Sequence, residues 1–379
     1  MLTTDMAVYF GTMTFGWSQS SSVCDEAAAT EMVKAFAAGG GTRLDTARIY
    51  AGGKTEPIVG ATLASVPGLR VGTKAHPSQP DGLSAAGIRA QLAASLEALG
   101  VKTVDEFYLH QPDTNNALEE SLRAAHELKA EGLINKIGMS NYHASEVARA
   151  FELCATHGWA APTVYQGLYN PLNRMVEAEL LPVRAAAGDP ATATTATNRR
   201  HLRRRRAGSL RAPGAQILRQ HGCAFIAYNP LAAGLLTGKH ADQSAPPKGR
   251  FLNNDNYLPR FYTKSNFDAL ERLKAACAAA EPPLTLVQAT YRWLARGSAL
   301  DAARGDGVLI GASSTQQAAE NLAALADAAP LPPAVQAAFD GAYAGDVAAG
   351  AFKYWRSYSA DMPGREGRDQ GASYQAAKK

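Results

Sequence analysis

Four residues in the first third of the chain have side chains that could act together in acid–base chemistry: Asp45, Tyr50, Lys74 and His110. A tyrosine phenol has a pKa near 10 and is a weak acid at neutral pH. A neighbouring lysine ammonium lowers that pKa, and an aspartate keeps the lysine charged and in place. A histidine beside them could donate a hydrogen bond to a carbonyl oxygen. Each residue alone has a structural explanation, but the set predicts protonation of an oxygen that gains negative charge, as in carbonyl reduction.

Eight short apolar runs alternate with longer stretches of helical pattern. The runs are AVYFGTM, TRLDTA, LRVGTKA, VDEFYLHQ, INKIGMSN, TVYQGLYN, CAFIAYNP and GVLIGASS. Eight such runs with helices between them predict an α/β protein with a single (β/α)8 TIM barrel, whose strands are buried on both faces. A doubly wound sheet is the competing architecture, but it usually carries GxGxxG after its first strand, and FGTMTFG lacks that motif.

Polar residues occur at the carboxyl ends of seven of these runs. They are Asp45, Lys74, His110, Ser140–Asn141, Gln166, Tyr228–Asn229 and Ser313–Ser314. In a parallel barrel these ends share one face, where active sites are built. One polar residue at a strand end only indicates that the strand turns toward solvent, whereas seven in succession favour a functional site.

Composition and sequence pattern exclude several protein classes. With 46% hydrophobic and 19% charged residues, the chain can bury a large core and is not disordered throughout. It has no apolar stretch of about 20 residues for a membrane span and no basic region followed by an apolar block, as in a secretory signal. Four widely spaced cysteines predict buried thiols of a cytoplasmic protein, without a metal site: Cys24, Cys154, Cys223 and Cys277.

The net charge of +4 has a local origin. Residues 190–215 contain no Asp or Glu and seven arginines: Arg199, Arg200, Arg203, Arg204, Arg205, Arg206 and Arg211. Without them the net charge is negative, as in many ordinary enzymes. Nucleic-acid binding is a rival interpretation of the basic run, but no aromatic residues or recognition helix accompany it. We therefore expect no nucleic-acid partner.

The basic run belongs to a segment, 185–214, that interrupts a continuous pattern. VEAELLPV before it and AQILRQHGCAFIAYNP after it read as two halves of one helix leading into the seventh strand. The segment itself has an Ala/Thr repeat and no apolar periodicity, so we expect a disordered insertion on the outside of the barrel. Two origins stay open: translated non-coding sequence, or a basic targeting or docking loop.

The predicted domain organisation follows from these patterns. Residues 1–330 form the barrel, interrupted by 185–214, and residues 331–379 form a carboxy-terminal segment. The end of that segment, SADMPGREGRDQGASYQAAKK, is polar, and we expect it to be disordered.

From about residue 8 to about residue 325, apart from 185–215, the sequence resembles the aldo-keto reductases. LDTARIYAGGKTE is similar to the family's DTA-x-x-Y-x-x-G-x-x-E signature, VGTKAHP to its lysine strand, FYLHQPD to its histidine strand and IGMSNY to its G-x-S-N strand. AYNPLAAGLLTGK and IGASSTQQAAEN resemble its cofactor-binding segments. The motifs best match the aflatoxin-aldehyde reductase branch, whose members reduce dicarbonyls and small aldehydes such as succinic semialdehyde.

The resemblance implies roles for particular residues. Tyr50 would be the proton donor, Lys74 and Asp45 would tune it, and His110 would orient the carbonyl. NADPH is the implied cofactor in preference to NADH. The residues implied to bind it are Ser140, Asn141, Gln166, Tyr228, Asn229, Leu231, Gly234, Leu236, Lys239, Arg250, Gly311, Ser313, Ser314, Gln317 and Asn321. The segment GASSTQQAAEN has no basic residue. The 2′-phosphate of NADPH would therefore be bound by side-chain hydroxyl and amide groups and by backbone amides at the start of a helix.

The resemblance also implies a small-molecule aldehyde as substrate. Tyr257 and Arg260 match substrate-binding positions of the branch, and Arg356 in FKYWRS resembles its carboxy-terminal arginine. Arginine binds carboxylates through two parallel hydrogen bonds, so an acidic aldehyde would fit these arginines, and His110 would contact its carbonyl group. An exposed position in the tail is the alternative for Arg356.

Two functions remain open. The potassium-channel β-subunits share much of the pattern, so a redox-sensing regulatory subunit is the alternative to an NADPH-dependent aldehyde reductase. The four candidate catalytic residues do not separate the two, whereas Tyr257 and Arg260 favour the enzyme. Members of the branch often form dimers, so the resemblance implies a homodimer.

Overall fold

The computed structural model describes residues 4–181, 216–240, 243, 250–327 and 329–372. Eight parallel strands pair in sequence order, and the first pairs with the last to close a barrel. The strands are β1 (Ala7–Gly11), β2 (Arg43–Asp45), β3 (Arg70–Ala75), β4 (Val104–Leu109), β5 (Ile134–Ser140), β6 (Val164–Leu168), β7 (Ala224–Tyr228) and β8 (Gly307–Gly311). The predicted (β/α)8 barrel is confirmed.

Helices connect the strands and extend beyond the last one. They are α1 (Glu26–Ala38), α2 (Thr55–Ser65), α3 (Ala85–Leu99), α4 (Leu118–Ala130), α5 (Ala144–His157), α6 (Val176–Glu179), α7 (Ile217–Gln220), α8 (Leu258–Phe261), α9 (Lys264–Ala278), α10 (Leu286–Arg292), α11 (Thr315–Ala326), α12 (Pro333–Asp340) and α13 (Asp346–Ala349). Side chains that accept hydrogen bonds from the first turn begin several of them, for example Asp25 at α1 and Ser84 at α3.

Large side chains fill the inside of the barrel. Tyr9, Tyr108, Val164 and Ile226 form one buried cluster there. The Tyr9 and Tyr108 hydroxyls donate to the two oxygens of buried Glu106, at 2.8 and 2.5 Å. These phenol–carboxylate bonds satisfy a polar group that would be costly to bury alone.

A close approach between β4 and β5 makes room for one of these rings. A Cβ atom on Gly138 would lie 2.3 Å from the Tyr108 ring, so glycine is required where the ring crosses the strand. The Tyr108 ring in turn lies 5.6 Å below the ammonium of Lys74. The packed side chains inside the barrel therefore lie directly beneath the candidate catalytic residues and support them.

Two short helices lie on either side of the undescribed residues 182–215. Buried residues on both sides, Leu180 and Leu181 before the gap and Leu218 after it, pack into the core ahead of β7. The predicted insertion, 185–214, lies outside the described residues.

Residues 351–372, which we call the carboxy-terminal strap, pack against loops at the carboxyl ends of the strands. Tyr354, Trp355, Tyr358 and Met362 are buried, and Ala360 N donates to a backbone oxygen of the loop after β4. The expected disorder of the tail is therefore wrong for residues 359–372, because contacts with distant parts of the barrel hold this polar sequence. Residues 373–379 lie outside the described residues.

In the part of the chain that the structure describes, no helix combines the length and apolarity needed to cross a bilayer. Within the same ranges, no group of three His, Cys, Asp or Glu side chains is placed to hold a metal ion. The four cysteines are buried and form no disulfide, as the sequence predicts.

Candidate active site

Lys74 lies at the centre of the polar groups at the ends of β2 and β3. Its Nζ atom is 2.6 Å from each carboxylate oxygen of Asp45 and 2.8 Å from the carbonyl oxygen of Thr46. It is 3.4 Å from the hydroxyl oxygen of Tyr50. Lys74 is completely buried, so water does not screen its charge from these neighbours.

The loop that carries Tyr50 is folded tightly. Ala51, Gly52 and Gly53 all have left-handed backbone conformations, with φ of 48°, 65° and 91°. This conformation is sterically unfavourable for Ala51 because of its Cβ atom, whereas the two glycines adopt it without strain. This bend turns the chain back immediately after Tyr50, so the phenol stays above Lys74.

Glu56 anchors the same loop to the barrel. It is fully buried, and its two carboxylate oxygens accept hydrogen bonds from the Arg48 guanidinium at 3.0 Å and from the Thr73 hydroxyl at 2.6 Å. Thr73 precedes Lys74 in β3, so Glu56 links the tyrosine loop to the lysine strand. The sequence analysis did not select Glu56, although it is the final residue of the LDTARIYAGGKTE motif.

Burial and ion pairing shift the pKa values of Lys74 and Asp45 in opposite directions. Burial lowers the pKa of the Lys74 ammonium, and the Asp45 carboxylate opposes this shift. Burial raises the pKa of the Asp45 carboxyl, and Lys74 opposes that shift. The Gln166 amide also donates to Asp45, at 2.8 Å. Each charge therefore depends on its partner, as is usual for ions removed from water.

His110 lies edge-on to the rings of Tyr50 and His76, with centroid distances of 5.8 and 5.1 Å. Burial holds the pKa of His110 well below its usual value, and His76, Lys74 and Arg356 lower it further. The ring is therefore neutral at neutral pH. Its Nδ1 atom is buried and has no hydrogen-bond partner among the described residues. A proton on Nδ1 would lack an acceptor, so the tautomer with its proton on Nε2 is favoured.

A cavity of about 1030 Å³ opens at the carboxyl ends of the strands and is lined by Asp45, Tyr50 and His110. This volume is at the upper end of the range for small-molecule sites, roughly 300–1,000 Å³. Most of the predicted cofactor-binding residues line it: Ser140, Asn141, Gln166, Tyr228, Asn229, Leu231, Gly234, Lys239, Arg250, Gly311, Ser313, Gln317 and Asn321.

Four predicted site residues do not line this cavity: Lys74, Leu236, Ser314 and Arg260. Lys74 lies beneath it, and Leu236 is fully buried in the core. Ser314 begins α11 and accepts a hydrogen bond from Gln317 N at 3.2 Å. The Arg260 side chain is buried against the Phe352 ring, 4.1 Å from its centroid. Leu236, Ser314 and Arg260 therefore lie outside the cavity wall.

Asn141 is fixed by hydrogen bonds on both sides of its amide. Its nitrogen donates to the His110 carbonyl oxygen at 2.9 Å and to Ser140 Oγ at 3.0 Å. Its side-chain oxygen accepts from the Tyr228 hydroxyl at 2.8 Å. These contacts connect the ends of β4, β5 and β7 and hold three cavity-lining side chains in fixed orientations.

The loop after β7 is shaped for close approach to a ligand. Asn229, Ala232, Ala233, Gly234 and Gly238 all have positive φ. A Cβ atom on Gly234 would meet only the Lys239 side chain, at 4.0 Å, and one on Gly311 across the cavity would meet nothing within 4 Å. With the positive charges of Lys239 and Arg250 on the same wall, these features fit an elongated anionic ligand such as a dinucleotide.

The loop after β1 forms part of the wall that the sequence analysis did not predict. Trp17, Gln19, Ser20 and Ser21 line the cavity. The Trp17 and Tyr257 rings lie 6.4 Å apart, and Gln19 accepts a hydrogen bond from the amide of Asn254 at 2.9 Å. The polar run SQSSS, at residues 18–22 between the first strand and the first helix, was the available signal for this loop.

The carboxy-terminal strap contributes Arg356, Ser357, Gln370 and Ala372 to the cavity wall. Arg356 is 5% exposed, and its guanidinium donates to the Ala372 carbonyl oxygen at 3.4 Å. The alternative interpretation of Arg356 as an exposed tail residue is therefore wrong. Tyr257, another predicted substrate residue, lines the same cavity.

Comparisons with known proteins agree with this architecture. The model of the aldo/keto reductase family matches residues 7–216 and 212–344. The chain is 37% identical over 351 residues to aflatoxin B1 aldehyde reductase member 2 of Mus musculus, covering 89% of this chain and 84% of the relative. It is 37% identical over 333 residues to aldo-keto reductase family 7 member A3 of Homo sapiens, covering 84% and 89%.

A solved structure extends the comparison to the fold. The glycerol dehydrogenase of Gluconobacter oxydans superposes with a TM-score of 0.63, covering 89% of this chain and 91% of that one. At 22% sequence identity this likeness concerns the fold alone. The family match spans nearly the whole barrel, and the relatives are similar over most of the chain, so this protein belongs to the aldo/keto reductase family of oxidoreductases.

Proposed function

We propose that this protein reduces aldehydes, and some ketones or dicarbonyls, to alcohols with NADPH, and that Tyr50 donates the proton. The main support is the position of Lys74 Nζ, 2.6 Å from the Asp45 carboxylate and 3.4 Å from the Tyr50 hydroxyl. A cation at that distance stabilises the phenolate and makes the phenol a stronger acid. An aldehyde, NADPH and one proton give an alcohol and NADP⁺. The aldehyde reductase name of the mouse relative supports the substrate class.

When bound, NADPH supplies the hydride that reduces the carbonyl carbon. Ser140, Asn141 and Gln166 would hold its carboxamide, and Tyr228 would stack on its ring. Lys239 and Arg250 would attract its diphosphate, with the loop after β7 close to it. Ser313, Gln317 and Asn321 would hold the adenosine end near the start of α11, where backbone amides favour an anion. We propose NADPH in preference to NADH on the match between this segment and the family's cofactor-binding motif.

The protein's own groups perform the remaining steps. The neutral His110 ring, protonated on Nε2, donates a hydrogen bond to the substrate carbonyl oxygen and orients it toward Tyr50. The Tyr50 hydroxyl gives its proton to this oxygen as negative charge develops there. Lys74 stabilises the phenolate that remains. Arg356 binds a carboxylate of the substrate, because its guanidinium can donate two parallel hydrogen bonds to it.

Replacing Tyr50 tests the proton-donor assignment. The Tyr50→Phe variant should lose more than about tenfold in kcat with 4-nitrobenzaldehyde, because the phenol proton is needed only in the transition state. Its Kd for NADPH, measured by fluorescence titration, should stay within about twofold of wild type. Tyr291 also lines the cavity, and Tyr291→Phe is the matched control. A Tyr50→Phe enzyme that keeps more than a tenth of the wild-type kcat would disprove the assignment.

Wild-type turnover separates an enzyme from a regulatory subunit. NADPH oxidation is measured with a panel that includes succinic semialdehyde and 4-nitrobenzaldehyde, and NADH replaces NADPH in a second series. We expect turnover within about tenfold of the enzyme median, about 10 per second, and a preference for NADPH. Turnover below about 0.01 per second for every aldehyde would support slow redox sensing in place of metabolism.

A further inference from the structure

Asp361 fastens the carboxy-terminal strap to two helices of the barrel. Its carboxylate accepts hydrogen bonds from the backbone N–H groups of Leu118 at 2.8 Å and Glu119 at 3.4 Å, in the first turn of α4. It also forms an ion pair with Arg149 of α5 at 2.7 Å. Ala117, at the start of α4, supplies no side-chain cap. Asp361 therefore caps α4 from more than 200 residues away, where a carboxylate also matches the helix dipole.

The charge of Asp361 is suited to this contact. Partial burial would raise the pKa of its carboxyl, but hydrogen bonds from Arg149 and from Leu118 N hold the pKa below its usual value. The group is therefore ionised at neutral pH. Both Asp361 and Arg149 are mostly buried, with side chains 23% and 19% exposed, so water screens this pair less than an open surface pair.

Backbone contacts connect Asp361 to Arg356 within the strap. Arg356 N donates to the Asn141 carbonyl oxygen at 3.0 Å, next to the predicted cofactor contacts. Ser359 N donates to the Glu146 carboxylate at 2.8 Å, and Ala360 N to a carbonyl oxygen of the loop after β4 at 3.0 Å. The six residues from Arg356 to Asp361 are thus held at both ends, and the Arg356 guanidinium lies at the cavity wall.

We propose that Asp361 is a positioning residue for Arg356, holding the strap against α4 and α5 so that the guanidinium meets an anionic group of the substrate. This inference rests on the proposed function, in which Arg356 binds that group. Asp361 does not line the cavity, so it acts only through the strap. Its removal should affect substrates that carry a negative charge and spare neutral ones, because a misplacement of about 1 Å is enough to weaken a directed interaction strongly.

Two aldehydes of nearly the same shape provide the test. 4-Carboxybenzaldehyde carries a carboxylate where 4-nitrobenzaldehyde carries a neutral nitro group. KM and kcat for both are measured with saturating NADPH for the wild type, Asp361→Ala, Asp361→Asn and Arg149→Met. Kd for NADPH and the thermal unfolding midpoint are measured in parallel, so that a change in folding or cofactor binding is visible.

For Asp361→Ala and Arg149→Met, KM for 4-carboxybenzaldehyde should rise about fivefold or more. A hydrogen bond between charged groups strengthens binding roughly tenfold, and these variants should lose part of that contribution. KM for 4-nitrobenzaldehyde and Kd for NADPH should change less than about twofold. Asp361→Asn keeps an oxygen for Leu118 N but loses the charge, so its effect should be intermediate. Glu366→Gln is the matched control, because this strap carboxylate is 83% exposed; its kinetics should equal those of the wild type.

Arg356→Met separates failure of this inference from failure of the proposed substrate role. If Arg356→Met leaves KM for 4-carboxybenzaldehyde unchanged, Arg356 does not bind the carboxylate. The substrate role of Arg356 and the positioning role of Asp361 are then both wrong. If Arg356→Met raises this KM and the Asp361 and Arg149 variants do not, only the positioning role is overturned. Equal rises for both aldehydes also overturn it, because they indicate a structural role. Should Asp361→Ala fail to fold, Arg149→Met breaks the same contact from the barrel side and decides the question.

Discussion

Lys74 does not reach the cavity, yet it acts on a group that does. Its ammonium is enclosed by Asp45, Thr46 and Tyr50, and no water is needed to satisfy it. A buried cation retains its charge only beside a partner, so Asp45 is necessary for any effect of Lys74 on the phenol. The candidate catalytic residues Asp45, Lys74 and Tyr50 must therefore be considered together.

Replacing the lysine tests this dependence. Lys74→Met should lower kcat more than about a hundredfold and move the basic limb of the pH–rate profile to higher pH, because a phenol without a neighbouring cation has a higher pKa and deprotonates later. The variant should also be less stable by about 3–5 kcal/mol, since Asp45 is left buried and unpaired.

The pH dependence of kcat and the thermal unfolding midpoint are the two measurements. An active Lys74→Met enzyme with the wild-type pH profile would contradict the tuning role, whatever its stability. A matched control is Lys136→Met, because Lys136 pairs with Glu106 in the same barrel but lies at the other end of β5 from Ser140 and does not line the cavity.

Sequence spacing was sufficient to select Asp45, Tyr50, Lys74 and His110, because parallel strands of a barrel bring their carboxyl ends together. It was not sufficient for Glu56 and His76. The contacts of Glu56 with Thr73, and of His76 with His110, depend on how a loop folds back on a neighbouring strand. Such contacts are set by three-dimensional packing. The LDTARIYAGGKTE motif contains Glu56, but the motif alone does not show which groups Glu56 contacts.

Among the larger elements, the strands could be predicted from the sequence and the strap could not. The strands were predictable because each is a short, nearly continuous apolar run buried on both faces. The strap was not, because the rings of Tyr354, Trp355 and Tyr358 pack against His143, which lies in the loop after β5 and far earlier in the chain. The local sequence of the strap does not show this contact. A polar composition therefore indicated disorder where the structure has a docked segment.

Glu146 in α5, which accepts a hydrogen bond from Ser359 N, makes the free energy of unfolding depend on pH. Burial raises the pKa of its carboxyl from 4.5 to about 7, against the hydrogen bonds from Ser359. Between these two values the folded protein binds more protons than the unfolded chain, so the free energy of unfolding falls as pH rises. The contribution of protonated Glu146 is complete below about pH 4.5 and lost above about pH 7.

Glu146→Gln imitates the protonated form at every pH. We expect it to be more stable than wild type by about 1–3 kcal/mol at pH 8.5 and nearly equal at pH 5. Urea unfolding at the two pH values measures the difference. Glu152→Gln, an exposed change on the same helix, should shift neither curve. A Glu146→Gln advantage that is the same at both pH values would show that titration of this group is not its cause.

At the scale of the whole molecule, the family match continues on both sides of residues 182–215. The buried residues that border this gap, Leu181 and Leu218, pack into the core and do not line the cavity. The described residues by themselves form the closed barrel of eight strands and a cavity at the carboxyl ends of the strands.

Deleting residues 185–214 should therefore leave kcat/KM within about threefold of wild type and preserve or raise the thermal unfolding midpoint, since a surface insertion adds closure entropy only slowly with length. Steady-state kinetics with 4-nitrobenzaldehyde and thermal unfolding of the deleted protein are the measurements. Deletion of α9 is the unfavourable control and should prevent folding, because this helix packs in the core. Loss of activity on removing 185–214 alone would show that the segment is part of the working enzyme.

The strap also sets an order of events during biosynthesis. The eighth strand ends at Gly311, so every strand of the barrel has been translated before the ribosome reaches residue 351. The nascent chain can therefore close its barrel, with Asp45, Tyr50, Lys74 and His110 in place, while Arg356 and the rest of one wall do not yet exist. Premature termination between these points would leave Asp45, Tyr50, Lys74 and His110 in the chain and remove Arg356, Ser357, Gln370 and Ala372 from the cavity wall.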